Sequence, residues 1–283
     1  MKKSIISLLL AFAIIICICG CAVAGNRQSA PEPEATGSPG ISVEPSSEAP
    51  EEPSSEPEIK TTDFSVTAGD TIEDVAQQLE EAGLCPAEEF LTECKKTPDI
   101  DLFAGYEPSD IRPYPVEGYI FSGDYEIEEG ASAEDILAVF MDNAQSVITD
   151  ERMQKAGAMG YTIDQMVTLA SIVQKESKTV DAMPGVSAVF HCRLKSPDYP
   201  NLQSDMTRSY NGGTHNTYEV RGLPAGAICC ISVEALDAAL EPLDIEAYYF
   251  VYDTERNYYY AKTYSEHKKN IKKLQDEGIF DIW

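Results

Sequence analysis

Positive charge is scarce in this chain. Its 283 residues carry 21 Lys and Arg against 48 Asp and Glu, a formal net charge of −27. Such a field repels polyanions, which argues against nucleic acid and anionic lipid headgroups as partners. No basic stripe with interleaved aromatics appears. Histidine is almost absent, with only His191, His215 and His267. No C-x-x-C pair occurs and zinc spacing is missing, so no metal site is expected. No G-x-S-x-G occurs, which argues against serine hydrolase chemistry. The only long apolar run, Ile5 to Cys19, is short for a membrane span.

That run follows Lys2 and Lys3 and reads as an export signal. Three outcomes stay open for residues 1–25. Ile18, Cys19, Gly20 and Cys21 resemble a bacterial lipobox with Cys21 as the lipidated residue. Ala22, Val23 and Ala24 offer a conventional cleavage site. An uncleaved anchor is the third. All three place the folded part outside the cytoplasmic membrane, tied to it in the first and third. Residues 26–61 are Pro, Ser and Glu with little to bury, which predicts a disordered, extended tether. Of eight cysteines, three lie in the leader. The remaining five are read as small core residues, with a Cys85–Cys94 disulfide as the alternative.

The stretch Thr162 to Ser177, TIDQMVTLASIVQKES, predicts a helix. Thr162 and Gln165 make a capping box. Met166, Leu169, Val173 and Glu176 recur at steps of three and four and share a face, while Gln174 and Lys175 point elsewhere. A carboxylate on a buried face near a helix C-terminus is disfavoured as an anion by desolvation and by the helix dipole. Both effects raise its pKa, and an acid that keeps its proton near neutrality suits general acid catalysis. From spacing alone, Glu176 could equally reach solvent at a frayed helix end.

An internal echo recurs at an offset of 61 residues. Val66 to Val75 and Ile127 to Ile136 each predict a strand, a Gly turn, a Thr or Ser N-cap and an acidic residue at N3. The two could pack around one small sheet, or could share only capping grammar. Between them, residues 114–125 read as an aromatic loop leading into a strand. Further helices are predicted from Pro184, after Ser232 and from Ser265. A hairpin is predicted from Tyr248 to Asp253 and Tyr258 to Thr263. Residues 196–217 look irregular and polar. Helices and strands mix without regular alternation, so the class is α+β.

The ordered blocks LASIVQKES, SAVFHCRL, LQSDMT, HNTYEVRGLPAGAI, VEALDAAL and YYFVYD…YAKTYSEHKKNIKK resemble the YceG-like endolytic murein transglycosylases (MltG family). VEGYIFSGDYEI is similar to the family's opening motif, and DFSVTAGDTIEDVAQQLEEAGL to its LysM-like module. The likeness covers roughly residues 62–275. It implies a LysM-like βα module at 62–112 and a mixed α+β catalytic domain at 113–283, behind the tether. It also implies a membrane-anchored enzyme that cuts peptidoglycan glycan strands internally, between N-acetylmuramic acid and N-acetylglucosamine. The cut would leave a 1,6-anhydromuramic end and need no cofactor. Cell-wall synthesis proteins stay open as partners.

By the same resemblance the catalytic acid falls on Glu176. Gln203, Ser204, Asp205 and Thr207 would line the substrate cleft, with Asn216 and Tyr218 opposite. Arg193 would support the floor or serve as a structural ion-pair partner. The chain departs from the family pattern at Gln174, His191, Cys192 and Met206, within Phe121 to Tyr125, and at Cys230 to Ser232. The link from Tyr210 to Asn216 is short, which predicts a trimmed cleft wall. The rival expectation is a catalytically weak wall-binding lipoprotein that kept the fold. A solute-binding lipoprotein is a third, without support from the motifs.

Overall fold

The fold is a computed structural model, described for residues 60–280 apart from 105, 107, 108 and 200. The chain divides by compactness into Met1–Ser54 and Ser55–Trp283, and every described residue belongs to the second unit. The expected anchor segment 1–25 with Cys21 lies outside the described residues, and so does the expected tether up to Ile59. Lys60 and Thr61, assigned to the tether, are instead structured. Thr61 opens a strand and the Lys60 carbonyl accepts from the Glu129 N–H. Among the described residues no helix is long and apolar enough to cross a membrane.

Strand β1 (Thr61–Val66) pairs antiparallel with β2 (Gly123–Glu128), in the register Thr61 opposite Glu128 and Val66 opposite Gly123. The two echoed segments therefore share one small sheet. Each leads into a capped helix, α1 (Ile72–Glu81) and α3 (Ala133–Val147). Thr71 with Asp74, and Ser132 with Asp135, form complete capping boxes that satisfy the orphan N–H groups of the first turn. The division expected at residue 112 runs between β1 and its partner strand. Helix α2 (Ala87–Cys94) was not predicted; Pro86 precedes it and no side chain caps it. The core of this region gathers on Phe140, with Phe64, Phe90 and Tyr125 at ring distances of 6.3, 6.0 and 4.7 Å. Such pairs add about 0.5–1.5 kcal/mol each beyond their area burial.

The second region is built on α5 (Ile163–Glu176), which packs against α6 (Met183–Lys195) and α7 (Val233–Leu240). The Thr162–Gln165 capping box forms as predicted, and Met166 through Val173 are buried all round. Helix α4 (Asp150–Ala158), also unpredicted, is capped by Thr149 and tied to α7 by Arg152, whose guanidinium grips Asp237 with two bonds of 2.8 and 3.0 Å. Beyond α7, β3 (Tyr249–Tyr252) and β4 (Tyr258–Ala261) form the predicted hairpin. The Asp253 carboxylate closes its turn by accepting from the N–H groups of Glu255 and Asn257. Helix α8 (Tyr264–Glu277) packs on both strands and ends at Gly278 in a left-handed cap.

The two regions interlock. The turn after β1 meets the segment after Ala227 through Gly69 N–H to the Cys230 carbonyl (2.9 Å) and Cys230 N–H to the Asp70 carbonyl (2.6 Å). The aromatic stretch 114–121 is no surface loop: Tyr114, Val116, Glu117, Tyr119, Ile120 and Phe121 are all buried. Arg112 bolts it to α5, donating to both oxygens of Asp164 at 3.0 and 2.8 Å and to the Pro115 carbonyl. The alternative of a Cys85–Cys94 disulfide is not realised. All five described cysteines are free, and burial pushes the thiols of Cys94, Cys229 and Cys230 upward.

Gly118 is where this buried loop meets α5. Its φ is +85°, and an added Cβ would lie 2.5 Å from Ala227 Cβ and 2.8 Å from Val167 Cγ1. Both neighbours are buried and cannot retreat. Gly118→Ala is therefore expected to lower the unfolding free energy by about 2–4 kcal/mol. Chemical denaturation measures it, and a change below about 0.5 kcal/mol would contradict the packing described.

Candidate active site

Glu176 is the last residue of α5 and is only 4% exposed. The frayed-end alternative is thereby ruled out. Its neighbours on the helix turn away and anchor it. The Gln174 side-chain oxygen accepts the Ser232 N–H at 3.1 Å, at the start of α7. The Lys175 ammonium donates to the Gly69 carbonyl at 2.7 Å, in the turn before α1. Two side chains thus fix the final turn of α5 to separate elements.

The Ser204 hydroxyl donates to Glu176 Oε1 at 2.6 Å. Ser204 is itself held by a buried hydroxyl network. Its N–H donates to Thr217 Oγ1 (2.9 Å), and its carbonyl accepts from Thr207 Oγ1 (2.7 Å). The Thr207 and Thr217 hydroxyls lie 2.9 Å apart. The segment therefore replaces regular secondary structure with side-chain bonds to backbone, as short hydroxyl residues do. Gln203, in the left-handed region at φ 56°, precedes it and turns its side chain out.

An open cleft of roughly 280 Å³ reaches Glu176. Of the predicted cleft residues, Gln203, Asp205 and Tyr218 line it together with Glu176. Ser204 bonds the carboxyl directly. Thr207 is buried in the hydroxyl network and does not line the cleft. Asn216 is not among the lining residues either; its side-chain oxygen accepts the Tyr218 N–H at 3.1 Å and shapes the turn that presents Tyr218. Arg193 lines the floor as a structural donor, with its guanidinium bonded to the carbonyls of Leu202 and Tyr248. The short link after Tyr210 is a tight turn with Asn211 and Gly212 at positive φ. His191 and Cys192 face away, bonding the carbonyls of Ala239 and Ile245.

Two groups of side chains at the candidate site have no counterpart in the sequence reading. Thr217, central to the hydroxyl network, sits between the two residues that were singled out. The far cleft wall comes from the hairpin and α8: Tyr249, Phe250, Tyr264 and His267. The tyrosine density of that hairpin was visible, but tyrosine in a hairpin is ordinary strand chemistry.

Burial holds the Glu176 carboxyl above the usual range, which makes desolvation the leading cause. The Ser204 hydrogen bond opposes it, nearby Asp205 adds to it, and Lys178 and Arg193 pull the other way. Asp205 is the other carboxylate in the cleft. It is exposed and engaged by the Arg208 guanidinium and the Tyr218 hydroxyl, each at 3.2 Å. A second larger hollow, roughly 510 Å³ beside Tyr161 and Leu223, holds only Asp164 as an acid, and that residue is already paired with Arg112.

An α+β protein with one buried carboxyl at the base of an aromatic-walled cleft is the class that fold and site define. The match to the YceG-like family model runs over residues 47–273, and the chain belongs to that family. An endolytic murein transglycosylase of Bacillus subtilis (strain 168) is 27% identical over 176 residues, covering 56% of this chain and 48% of that one. One from Streptococcus pneumoniae (strain R6) is 28% identical over 182 residues, covering 56% and 32% respectively. The chain thus spans half or less of the curated relatives it matches. The crystal structure of a yceG-like protein from Listeria monocytogenes shares the fold, with a TM-score of 0.61, 21% identity and coverage of 74% of this chain and 75% of that one.

A raised carboxyl pKa is a stability statement. The folded state binds the Glu176 proton more tightly than the unfolded chain. That contribution is complete below the ordinary value of 4.5 and is lost as pH rises through the folded value. Glu176→Gln removes it, so the variant should gain stability over the parent as pH climbs from 4 to 8. Thermal unfolding at both ends of that window tests this, and a difference that stays flat would contradict the burial of the acid.

Proposed function

We propose that this protein cleaves peptidoglycan glycan strands internally and without water, leaving 1,6-anhydromuramic ends. The observation that carries the reading is Glu176: a buried carboxyl, bonded by a buried hydroxyl, at the base of an open cleft. Family membership and the endolytic murein transglycosylases among the relatives support the same reading.

The steps follow from one acid. Protonated Glu176 donates to the glycosidic oxygen between the muramic and glucosamine residues, and the C1–O bond breaks. The leaving sugar departs as an alcohol. Positive charge develops on C1 and the ring oxygen. The Glu176 carboxylate then takes the proton from the muramic C6 hydroxyl as that oxygen closes on C1. One carboxyl serves as acid and then base, and no water attacks. The anion of Asp205 favours the cationic state and helps keep Glu176 protonated beforehand. Ser204 orients the carboxyl. Gln203 and Tyr218 position the sugar, and Thr207 and Asn216 act through the loop that carries them.

In this reading the residues before Thr61 anchor and space the domain outside the membrane. Cys21 would be lipidated in the lipoprotein form of that anchor. The LysM-like unit of residues 62–112, with β2 completing its sheet, serves the same substrate.

Purified protein incubated with peptidoglycan should release anhydro-ended products, and Glu176→Gln should lower the rate by about 10²–10⁴-fold. Products with free reducing ends would instead assign Asp205 as a second catalytic carboxylate and a hydrolase. Binding without any products would favour the wall-binding lipoprotein. Because Ser204 lowers the Glu176 pKa, Ser204→Ala should move the alkaline limb of the pH–rate profile to higher pH. A limb that moves down or stays would contradict the assigned acid.

A further inference from the structure

We propose that Tyr264, backed by Tyr249 and His267, forms a second saccharide platform in the cleft, so that extended strands are held better than short fragments. The inference rests on the cleft taking glycan.

Among the described residues only two aromatic side chains are exposed, Tyr218 at 42% and Tyr264 at 57%. Both line the Glu176 cleft. Their surroundings differ. Tyr218 stands beside Asp205 on the loop that carries the hydroxyl network. Tyr264 is the first residue of α8, and its backbone is set by the Thr263–Glu266 capping box. The Lys268 ammonium lies 4.8 Å from its ring centre. The Tyr249 ring is 5.8 Å away and the His267 ring 6.3 Å.

Beneath it the rings are packed against one another. Tyr249 stacks on His267 at 5.2 Å and 22°, the Arg193 guanidinium lies 5.5 Å from the Tyr249 ring, and Tyr199 meets Tyr249 edge-on at 5.7 Å. His267 Nδ1 is buried without a hydrogen-bond partner. Ile271 and Phe280 complete an apolar floor.

This matches the two faces of a pyranose. The axial C–H groups of a sugar ring carry partial positive charge and fit an electron-rich aromatic face. Its hydroxyl rim needs donors at the edge, which Arg193 and Lys268 can offer. A stack built in advance loses little entropy on binding. The platform comes from the hairpin and α8, whereas Gln203, Asp205 and Tyr218 come from the loop that bonds Glu176. Carried by elements separate from the Glu176 loop, it is assigned a sugar other than those at the bond being cut.

The test uses Glu176→Gln protein, which should bind without turnover, and calorimetric titration with peptide-free murein hexasaccharide. Adding Tyr264→Ala should weaken that affinity about tenfold, and Tyr264→Phe, which keeps the ring, by less than about twofold. Tyr264 is exposed, so neither change threatens folding. Equal affinity in all three proteins overturns the platform; if anhydro ends still form, the reading of the cleft survives. A hexasaccharide that binds none of them, with no anhydro products from the parent, overturns both.

Discussion

The structure depends on the burial of one carboxyl group. Glu176 is removed from water at a helix end, where a lone anion is disfavoured. It is made tolerable by one donor, the Ser204 hydroxyl at 2.6 Å. That donor acts in the opposite sense to burial, because it favours the charged form. The balance leaves the acid above its ordinary range, the direction that the proposed role as proton donor needs. A deeper, unbonded carboxyl would hold its proton too firmly, and an exposed one would lose it too early.

Much of the molecule serves to hold that arrangement still. Gln174 and Lys175 spend their polar atoms on the start of α7 and the turn before α1, so the last turn of α5 cannot fray. The Thr207 and Thr217 hydroxyls hold Ser204 without any help from sheet or helix. Glu117 is buried too, and burial pushes its carboxyl up to about 8. Its Oε2 accepts from the Tyr210 hydroxyl (2.7 Å) and from the Ile72 N–H at the start of α1 (3.3 Å). The short link after Tyr210 is thereby pinned to the first region, and the loop bearing Ser204 and Tyr218 is bounded at both ends.

Local rules made part of this legible. The capping boxes at Thr71, Ser132 and Thr162 need only four residues of sequence, and all three form. Glu176 could be placed on the buried face of its helix because Met166, Leu169 and Val173 set that face. What spacing could not decide was whether the helix end lay under other elements; Ser204, 28 residues further on, decides it. The segment 196–217 looked polar and irregular, and its backbone is so, yet Ser204, Thr207, His215 and Thr217 are buried. Mutual hydrogen bonding offsets that burial for Ser204, Thr207 and Thr217, whereas His215 keeps its Nε2 unpartnered, and no pattern in the sequence announces either. Helices α2 and α4 escaped because their apolar stripes are too brief to declare a period. The family resemblance put Asn216 in the cleft, whereas its side-chain oxygen accepts the Tyr218 N–H and shapes a turn.

None of the departures from the family pattern is among the residues that line the cleft. His191 and Cys192 bond carbonyls of neighbouring segments, and Cys230 joins the turn before α1. The most direct test is the titration of Glu176 itself, followed by carbon NMR of its side-chain carboxyl in the intact protein. The midpoint should lie clearly above 4.5, the ordinary value of a glutamate. A midpoint at or below that value would mean that the carboxyl is an anion at neutral pH, unable to donate the proton on which the proposed chemistry turns.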